Sequence, residues 1–392
     1  MQQHFSKKWL RKKTLFSELH RRYIIFAASN KRIMSDFDEY IKQGEPSRKE
    51  KAQIWQMAIG LQDVDGLKPS DYLIEVAREN IEDKITINEV LQRIDSYYKQ
   101  QANQKNIGTE RTEEADKVSA RITEILSNNT FSFSPLEYIE IHRRLFTGIY
   151  KFAGKSRDYN ITKNEWVLKG QTVLYSDFNL IRQTLDYDFA QEKKFDYKTV
   201  DYFQSVQHIV KFISGIWQIQ AFGEGNTRTT AVFAIKYLRS FGFEIDNKLF
   251  AKHSWYFRNA LVRANFNDLK NNIHATTDYL MRFFGNLLLN ENNILKNREL
   301  LVDWKNKENF QRAKNEENKI SKSNICTLNC TLGEHFVLEF LKNNPKATQT
   351  EIAAHIKKSE RTVKTITSSL QQKNLLERKN GKRNGYWVIK KE

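Results

Sequence analysis

The sequence predicts a mainly α-helical protein built from three folded units. Apolar residues recur at helical spacing through most of the chain, as in the stretch from Tyr202 to Ile216. Helix-start signals precede several such stretches, for example Ser134-Pro135-Leu136-Glu137, in which serine is an N-cap and proline lies in the first turn. Strand patterns are confined to two short hairpin-like segments. We therefore expect helical units with one short β-hairpin in the middle of the chain and another near its end.

The positive charge of the chain is concentrated at its two ends. The net charge is +17, from 64 lysine and arginine residues against 47 acids. Residues 1–33 contain nine basic residues and one acid, and residues 341–392 contain thirteen and four, so the residues between them are neutral overall. Basic ends of this kind attract nucleic acid or an anionic surface, or form a solvated charged face.

Composition excludes several classes of protein. With 40% hydrophobic and 12% aromatic residues, the chain is neither disordered nor of low complexity. No apolar run approaches the roughly 20 residues that a membrane span needs. Two cysteines, Cys326 and Cys330, are too few for a disulfide framework or a four-cysteine zinc site. We therefore expect a cytoplasmic protein without a membrane partner.

Shifts in composition divide the chain into units and linkers. Polar stretches rich in lysine, asparagine and glutamine separate the segments that carry helical patterns. The predicted division is a basic extension at 1–47, a helical unit at 48–98, a linker at 99–112, a central helical domain at 113–297, a second linker at 298–332 and a C-terminal unit at 333–392. Met34 is an alternative start of the chain, because a polar, acidic segment follows it.

Two segments of the central domain predict specific structures. Trp166–Leu168 and Thr172–Tyr175 flank Lys169-Gly170-Gln171, which is a hairpin signature. The segment 220–228, Gln-Ala-Phe-Gly-Glu-Gly-Asn-Thr-Arg, joins the end of one apolar helix to the start of another.

The segment 220–228 has the chemistry of a nucleotide-phosphate site. Its two glycines allow a tight turn that directs consecutive N–H groups toward one point. The helix that begins near Asn226 adds its positive end and its unpaired donors, and Arg228 can grip phosphate oxygens with two donors. Glu224 is a hard oxygen ligand suited to Mg²⁺. The alternative is an ordinary helix–helix turn with a solvated glutamate and arginine.

This segment resembles the signature of the Fic (filamentation induced by cAMP) family, His-x-Phe-x-(Asp/Glu)-Gly-Asn-x-Arg. The resemblance covers about residues 113–297 and implies an all-α fold that transfers AMP from ATP to a serine, threonine or tyrosine hydroxyl of a target protein. It also implies that Glu224 binds Mg²⁺ and that the hairpin at about 161–175 is a flap that clamps the target by strand addition. The nucleotide-binding residues that it implies are Gly223, Gly225, Asn226, Thr227, Arg228, Phe257 and Asn265, the last two lining the adenine.

Two positions depart from the family pattern. The family's general base, a histidine, is Gln220 here, and an amide cannot accept the proton of the target hydroxyl. Loss of a general base costs on the order of 10²–10⁴ in rate. His208 lies about 18 Å upstream on the same predicted helix and is expected to be a helix-face residue. Ala231 stands where many members carry a further arginine on the terminal phosphate.

Two functions remain open at this point. One is an impaired adenylyltransferase. The other is a non-catalytic regulator that senses nucleotide through a degenerate Fic domain and binds DNA. A homodimer is compatible with both.

The unit at 48–98 resembles the small antitoxin that pairs with some Fic toxins, here fused upstream. That antitoxin inhibits through a helix bearing Ser/Thr-x-x-x-Glu-(Gly/Asn), whose glutamate pairs with the second motif arginine. The matching positions are Leu61, Asp65 and Gly66, so the serine is absent and the acid is shortened. The partner arginine is also absent, at Ala231. The resemblance therefore implies that the inhibitory glutamate–arginine pair is lost. A purely structural helical unit is the alternative.

The C-terminal unit has the element order of a winged helix-turn-helix. Thr348-Gln349-Thr350-Glu351 is a capping box, Ser359 is a candidate N-cap of the following helix, and two strand patterns then bracket a basic turn. Candidate DNA-binding residues lie at the start of the second helix and on the wing. They are Arg361, Thr362, Lys364, Lys379, Lys382 and Arg383. The alternative is a winged helix used for dimerisation or for docking a target.

Overall fold

The computed structural model describes residues 37, 40, 46–101, 107–243, 245, 247–302, 330–356, 358–380 and 385–390. The chain divides into two compact units, the first formed by residues 1–130, 141–153 and 246–255 and the second by 131–140, 154–245 and 256–392. The predicted mainly α-helical fold is confirmed. Most of the predicted extension at 1–47 and of the predicted linker at 298–332 lies outside the described residues. No helix within the described ranges combines the length and the apolar character needed to cross a bilayer.

The first unit contains the helices predicted at 48–98 and one more. These helices are α1 (Pro46–Gly60), α2 (Asp71–Ile81), α3 (Ile87–Gln100) and α4 (Ile107–Ser127). Their buried core includes Trp55, Leu73, Val90, Ile94 and Ala120. At the end of α1, a Cβ atom on Gly60 would lie 2.5 Å from the Cα of Ala251, so only glycine permits this close approach.

The predicted linker at 99–112 is partly helical. Helix α3 continues to Gln100, and α4 begins at Ile107 inside the predicted linker. Helix α4 packs against α1 and α3, and its buried Ala120 joins their apolar core. The polar first turn of α4 resembles a linker, so the sequence predicted the boundary of the central domain at residue 113. In the structure, α4 packs with the helices of the first unit.

The second unit is built around one helix that is buried on every side. Its helices include α6 (Ile181–Lys194), α7 (Tyr202–Ile219), α8 (Asn226–Phe241) and α10 (Asp278–Leu288), while α5 (Pro135–Phe146) and α9 (Asn247–Ala264) each have one end in it. Every residue of α8 from Asn226 to Leu238 is buried. A helix buried all round forms the centre of its domain. Helix α7 packs against α6, α8 and α10, and its C-terminus leads directly into α8.

The hairpin predicted at about 161–175 does not form as strands. Trp166–Leu168 is a 3-10 turn instead. The main chain closes a compact loop, because Glu165 N–H donates to Gln171 O and Gly170 N–H donates to Glu165 O, each at 3.0 Å. The buried Glu165 carboxylate then accepts hydrogen bonds from Tyr175 and Arg258. Side-chain anchoring therefore holds this loop where the sequence predicted a strand ladder. We call residues 160–175 the flap loop.

The predicted order of elements at the end of the chain is observed. Three helices, α11 (Leu332–Asn343), α12 (Gln349–His355) and α13 (Glu360–Gln372), precede an antiparallel pair of strands, β1 (Leu376–Lys379) and β2 (Tyr386–Ile389). The predicted capping box at Thr348 and the N-cap at Ser359 are both present. We call residues 330–390 the C-terminal module.

Candidate functional site

The connection between α7 and α8 reverses the chain in six residues. Gln220 ends α7 with left-handed backbone angles (φ 47°, ψ 58°), and Gly225 begins α8 with φ 78°. Only glycine adopts the second conformation without strain, which explains the residue at 225. Of residues 220–228, which we call the motif loop, Glu224 alone is exposed.

Asn226 fixes the shape of the motif loop. Its Nδ2 donates to the carbonyl oxygen of Phe222 at 2.7 Å, and its Oδ1 accepts from the N–H of Phe222 at 3.0 Å. The side chain is 2% exposed, so both hydrogen bonds lie away from water. This clamp holds Gly223, Glu224 and Gly225 in a closed turn at the N-terminus of α8. Such a turn directs N–H groups at an anion.

The first turn of α8 is anchored to its neighbours by hydroxyl groups. Trp217 Nε1 donates to Thr227 Oγ1 at 3.0 Å, and Thr229 donates to the Gly225 carbonyl from both its N–H and its hydroxyl, each at 3.0 Å. The hydroxyls of Tyr138 and Thr230 are also hydrogen bonded at 3.0 Å. The N-terminus of α8 is therefore rigidly held before any ligand arrives.

The charged groups of the motif loop differ in exposure. Arg228 is 1% exposed, whereas the Glu224 side chain is 59% exposed and lies 3.6 Å from Lys163 Nζ of the flap loop. A guanidinium can bind phosphate oxygens through two donors, as the sequence analysis expects of Arg228. Within the described residues, no three histidine, cysteine, aspartate or glutamate side chains are grouped to hold a metal. A Mg²⁺ ion at Glu224 would thus need further ligands from a nucleotide, which is how Mg²⁺ is usually bound.

Gln220 is buried at the start of the motif loop. Its Nε2 donates to Trp217 O at 3.0 Å, whereas its Oε1 is buried and lacks a hydrogen-bond partner among the described residues. The amide therefore completes the end of α7. His208 does not replace the missing base, because its Nε2 contacts Glu192 Oε2 at 2.7 Å and its ring stacks on Phe195 at 3.4 Å.

A family comparison assigns the segment that contains this loop. Residues 132–238 match the Fic/DOC family. The matched segment is a little over a quarter of the chain and supports a Fic-type fold there, a fold generally associated with AMPylation. No curated protein sequence matches the chain.

Two charged residues of the Fic segment were missed by sequence reasoning. Arg157 is 5% exposed and donates its guanidinium hydrogens to the main-chain carbonyls of Gln220 in the motif loop and of Tyr159 and Ser176, which flank the flap loop. Lys163 places a positive charge beside Glu224. Neither position carries a local signal, since Glu224 is distant in sequence from Lys163 and the Gln220 and Ser176 carbonyls are distant from Arg157.

Of the two residues assigned to the adenine, Phe257 lies on α9 and Asn265 immediately follows this helix. Phe257 is fully buried, with its ring 5.2 Å from that of Phe283. Its ring packs on α10, and its assignment as an adenine contact stays a prediction. Asn265 Nδ2 donates to Ser214 Oγ and to Leu261 O, each at 2.9 Å, so its amide joins α9 to α7.

The positions matched to the antitoxin motif lie at the end of α1. Leu61 is fully buried in a 3-10 turn, Leu61–Asp65, and Gly66 follows with φ 65°. Arg111 donates to the carbonyl oxygens of Asp65 and Gly66 at 2.9 and 3.4 Å. Within the first unit these residues end a helix, as the sequence predicts for an Asp-Gly pair.

The candidate DNA-binding residues of the C-terminal module are only partly described. Arg361, Lys364 and Lys379 are exposed. The Thr362 N–H donates to Ser359 Oγ at 3.2 Å and so takes part in the cap of α13. Lys382 and Arg383 lie outside the described residues.

Proposed function

We propose that the chain is a Fic-type protein adenylyltransferase that transfers AMP from ATP to a serine, threonine or tyrosine hydroxyl of a target protein. The observation that carries this proposal is the rigid motif loop, in which Asn226 closes a turn at the N-terminus of α8 beside the buried Arg228. The family match over 132–238 supports the same reaction class.

In this reaction the target hydroxyl oxygen attacks the α-phosphorus of ATP. A new P–O bond forms, the bond to the β-phosphate breaks, and pyrophosphate leaves. The N–H groups of Gly223, Gly225 and Thr227, with Arg228, would orient the phosphates and stabilise the charge that develops on them. Glu224 would hold Mg²⁺ together with the phosphates, and the ion would neutralise phosphate charge.

The proton of the target hydroxyl has no acceptor at position 220 and would pass to solvent water. Gln220 carries an amide, which is not a base at neutral pH, and its Nε2 is already bonded to Trp217 O. We therefore propose an enzyme that binds ATP well and transfers AMP slowly, by a factor on the order of 10²–10⁴.

We also propose that the first unit is an antitoxin-like domain whose inhibitory residues have been lost. Leu61 is buried where the motif requires a hydroxyl, Asp65 is shorter than the glutamate, and Ala231 stands in place of its arginine partner. The unit would then stabilise the protein without blocking nucleotide binding.

Transfer of labelled AMP from ATP with Mg²⁺ tests the enzyme. We expect Gln220→His to label itself or a lysate protein at least 10²-fold faster than the unsubstituted chain. Arg228→Ala in the Gln220→His background should abolish labelling, whereas Arg182→Ala, at an exposed arginine of α6, should not. A folded Gln220→His protein that binds ATP and labels nothing would overturn the enzyme and leave a nucleotide-sensing regulator.

The C-terminal module favours DNA binding as a second function. Arg361 and Lys364 are exposed at the start of α13, and Lys379 is exposed at the end of β1, which suits contacts with phosphates. A winged helix-turn-helix presents these two elements to a duplex. Binding of a target protein or of a second copy of the chain would be the competing use.

Fluorescence anisotropy with a labelled DNA duplex at several salt concentrations tests this second function. Each phosphate contact that is removed should reduce the slope of log K against log salt concentration by about 0.9. Arg361→Ala and Lys364→Ala should each do so, whereas Lys346→Ala, at an exposed lysine between α11 and α12, should leave the slope unchanged. Equal slopes for all three variants would contradict DNA binding by α13.

A further inference from the structure

Arg157 is bonded to two separate parts of the Fic segment. Within the described residues, its guanidinium donates to Gln220 O at 2.7 Å, to Tyr159 O at 2.6 Å, to Ile219 O at 3.2 Å and to Ser176 O. Its main-chain N–H donates to Ala221 O at 2.9 Å. The side chain is 5% exposed, so these bonds are shielded from water.

One group of acceptors belongs to the end of α7 and the start of the motif loop. The last carbonyls of a helix have no partner within it, and they carry the negative end of the helix dipole. The left-handed turn at Gln220 ends the regular hydrogen bonding of α7. Arg157 supplies both a positive charge and donors to the carbonyls of Ile219, Gln220 and Ala221 at this point. It therefore fixes the direction in which the chain enters the motif loop.

The other acceptors lie at the two ends of the flap loop. Tyr159 immediately precedes this loop and Ser176 immediately follows it, and both carbonyls accept from the same guanidinium. The flap loop has no strand ladder, so these bonds at its base, together with the Glu165–Arg258 pair, hold it in place. A single planar group with five donors meets carbonyls from both directions, which a lysine ammonium cannot reproduce.

We propose that Arg157 is a positioning residue that couples the flap loop to the motif loop, so that the placement of a target segment and the placement of the nucleotide depend on each other. The target segment and the nucleotide in this proposal are those of the proposed function, on which it rests. Its structural content, a shared anchor for residues 160–175 and 219–222, stands without them.

Amide hydrogen exchange on the full chain without ligand tests the shared anchor. In Arg157→Lys, exchange should accelerate about tenfold or more in both the flap loop and residues 219–222, because charge-assisted hydrogen bonds to both are lost. In the matched control Arg258→Lys, which weakens the 2.7 Å pair with Glu165, exchange should accelerate in the flap loop alone. Helix α10 is the reference and should be unchanged in both variants. Acceleration of one segment alone in Arg157→Lys, or of α10 as well, would overturn the proposal.

Kinetics in the Gln220→His background supply a second readout that general destabilisation would not produce. Arg157→Lys should lower kcat and raise the KM for the target by about tenfold each, while ATP affinity measured by calorimetry changes by less than about threefold. An unchanged kcat and target KM would contradict the coupling. If the Gln220→His protein transfers no AMP at all, the proposed function fails, and the exchange experiment still decides on Arg157.

Discussion

Asn226 binds both main-chain polar groups of Phe222, through its Nδ2 at 2.7 Å and its Oδ1 at 3.0 Å. One amide side chain thereby closes the turn that precedes α8. A closed turn at a helix N-terminus favours anion binding, because the helix dipole places positive charge there. The site is thus organised by an asparagine that need not contact the ligand itself.

Replacement of Asn226 should damage both stability and nucleotide binding. Asn226→Ala removes two buried hydrogen bonds to the main chain of Phe222, so we expect a loss of about 2–4 kcal/mol in the free energy of unfolding and loss of measurable ATP binding. Asn286→Ala is the matched control, because Asn286 bonds the N–H and carbonyl of Asn293 in the same way at 2.6 and 2.8 Å. Urea unfolding and calorimetry should show that both variants are destabilised but that Asn286→Ala retains ATP affinity. Equal loss of affinity would contradict a specific role for the clamp.

Stability should depend on pH through Asp116 in the first unit. Burial raises the pKa of Asp116 to about 6, although Ser70 and Tyr98 donate hydrogen bonds to its carboxylate. Because the folded pKa lies above the unfolded value near 3.8, the folded state binds more protons between these pH values, and stability falls as pH rises from about 4 to 6. The unfolding free energy of the unsubstituted chain, relative to that of Asp116→Asn, should therefore decrease by about 2 kcal/mol between pH 4 and pH 7.

Asp83 provides a control of opposite sign for the Asp116 titration. A hydrogen bond from Lys51 lowers the pKa of this exposed carboxyl, so its contribution to stability is lost as pH falls. Urea unfolding across the pH range should give the unfolding free energy of the unsubstituted chain relative to each variant. This relative stability should grow with pH for Asp83→Asn and shrink with pH for Asp116→Asn. The same trend in both variants would show that burial does not dominate at Asp116.

The packing of the C-terminal module on α7 should depend on Tyr202. The Tyr202 ring stacks on His335 of α11 at 3.9 Å, and its main-chain N–H donates to Cys330 O at 2.6 Å. Tyr202→Ala removes a fully buried ring, at a cost of about 3–5 kcal/mol, and should accelerate amide exchange in α11 at least tenfold. Tyr202→Phe keeps the stacked ring and loses only the hydroxyl bond to Leu288 O, so α11 should remain protected. Equal exchange rates in α11 for both variants would contradict this role of the Tyr202 ring.

The first unit should not inhibit AMP transfer through Asp65. In the Gln220→His background, Asp65→Ala should leave the rate of transfer unchanged within about twofold, because the arginine that an inhibitory acid would pair with is Ala231. A circular dichroism spectrum and an unfolding curve establish that the variant is folded. A tenfold or greater rise in rate, about 1.4 kcal/mol of released inhibition, would show that the lock persists in another form.

The predictions that held are those that depend on neighbouring residues. The capping box at Thr348, the cap at Ser359 and the glycine at 225 involve groups within a few residues of one another, so the sequence alone specifies them. The motif loop was identified for the same reason, since its glycines, asparagine and arginine are consecutive.

The predictions that failed depend on contacts between distant segments. The flap loop has the residue pattern of a hairpin, yet the Glu165–Arg258 pair, 93 residues apart, holds it as a compact loop. Helix α4 begins in a polar segment that resembles a linker. It is a helix because apolar residues further along it pack on α1.

The sequence by itself determined the helices, their ends and the chemistry available at residues 220–228, because these follow from local spacing and residue type. Only the tertiary structure decided which groups anchor that chemistry. The carbonyls that Arg157 binds come from three places in the chain, and no local pattern encodes their convergence. Hydrogen bonds between distant segments form only when packing has already brought their donors and acceptors within about 3 Å of each other.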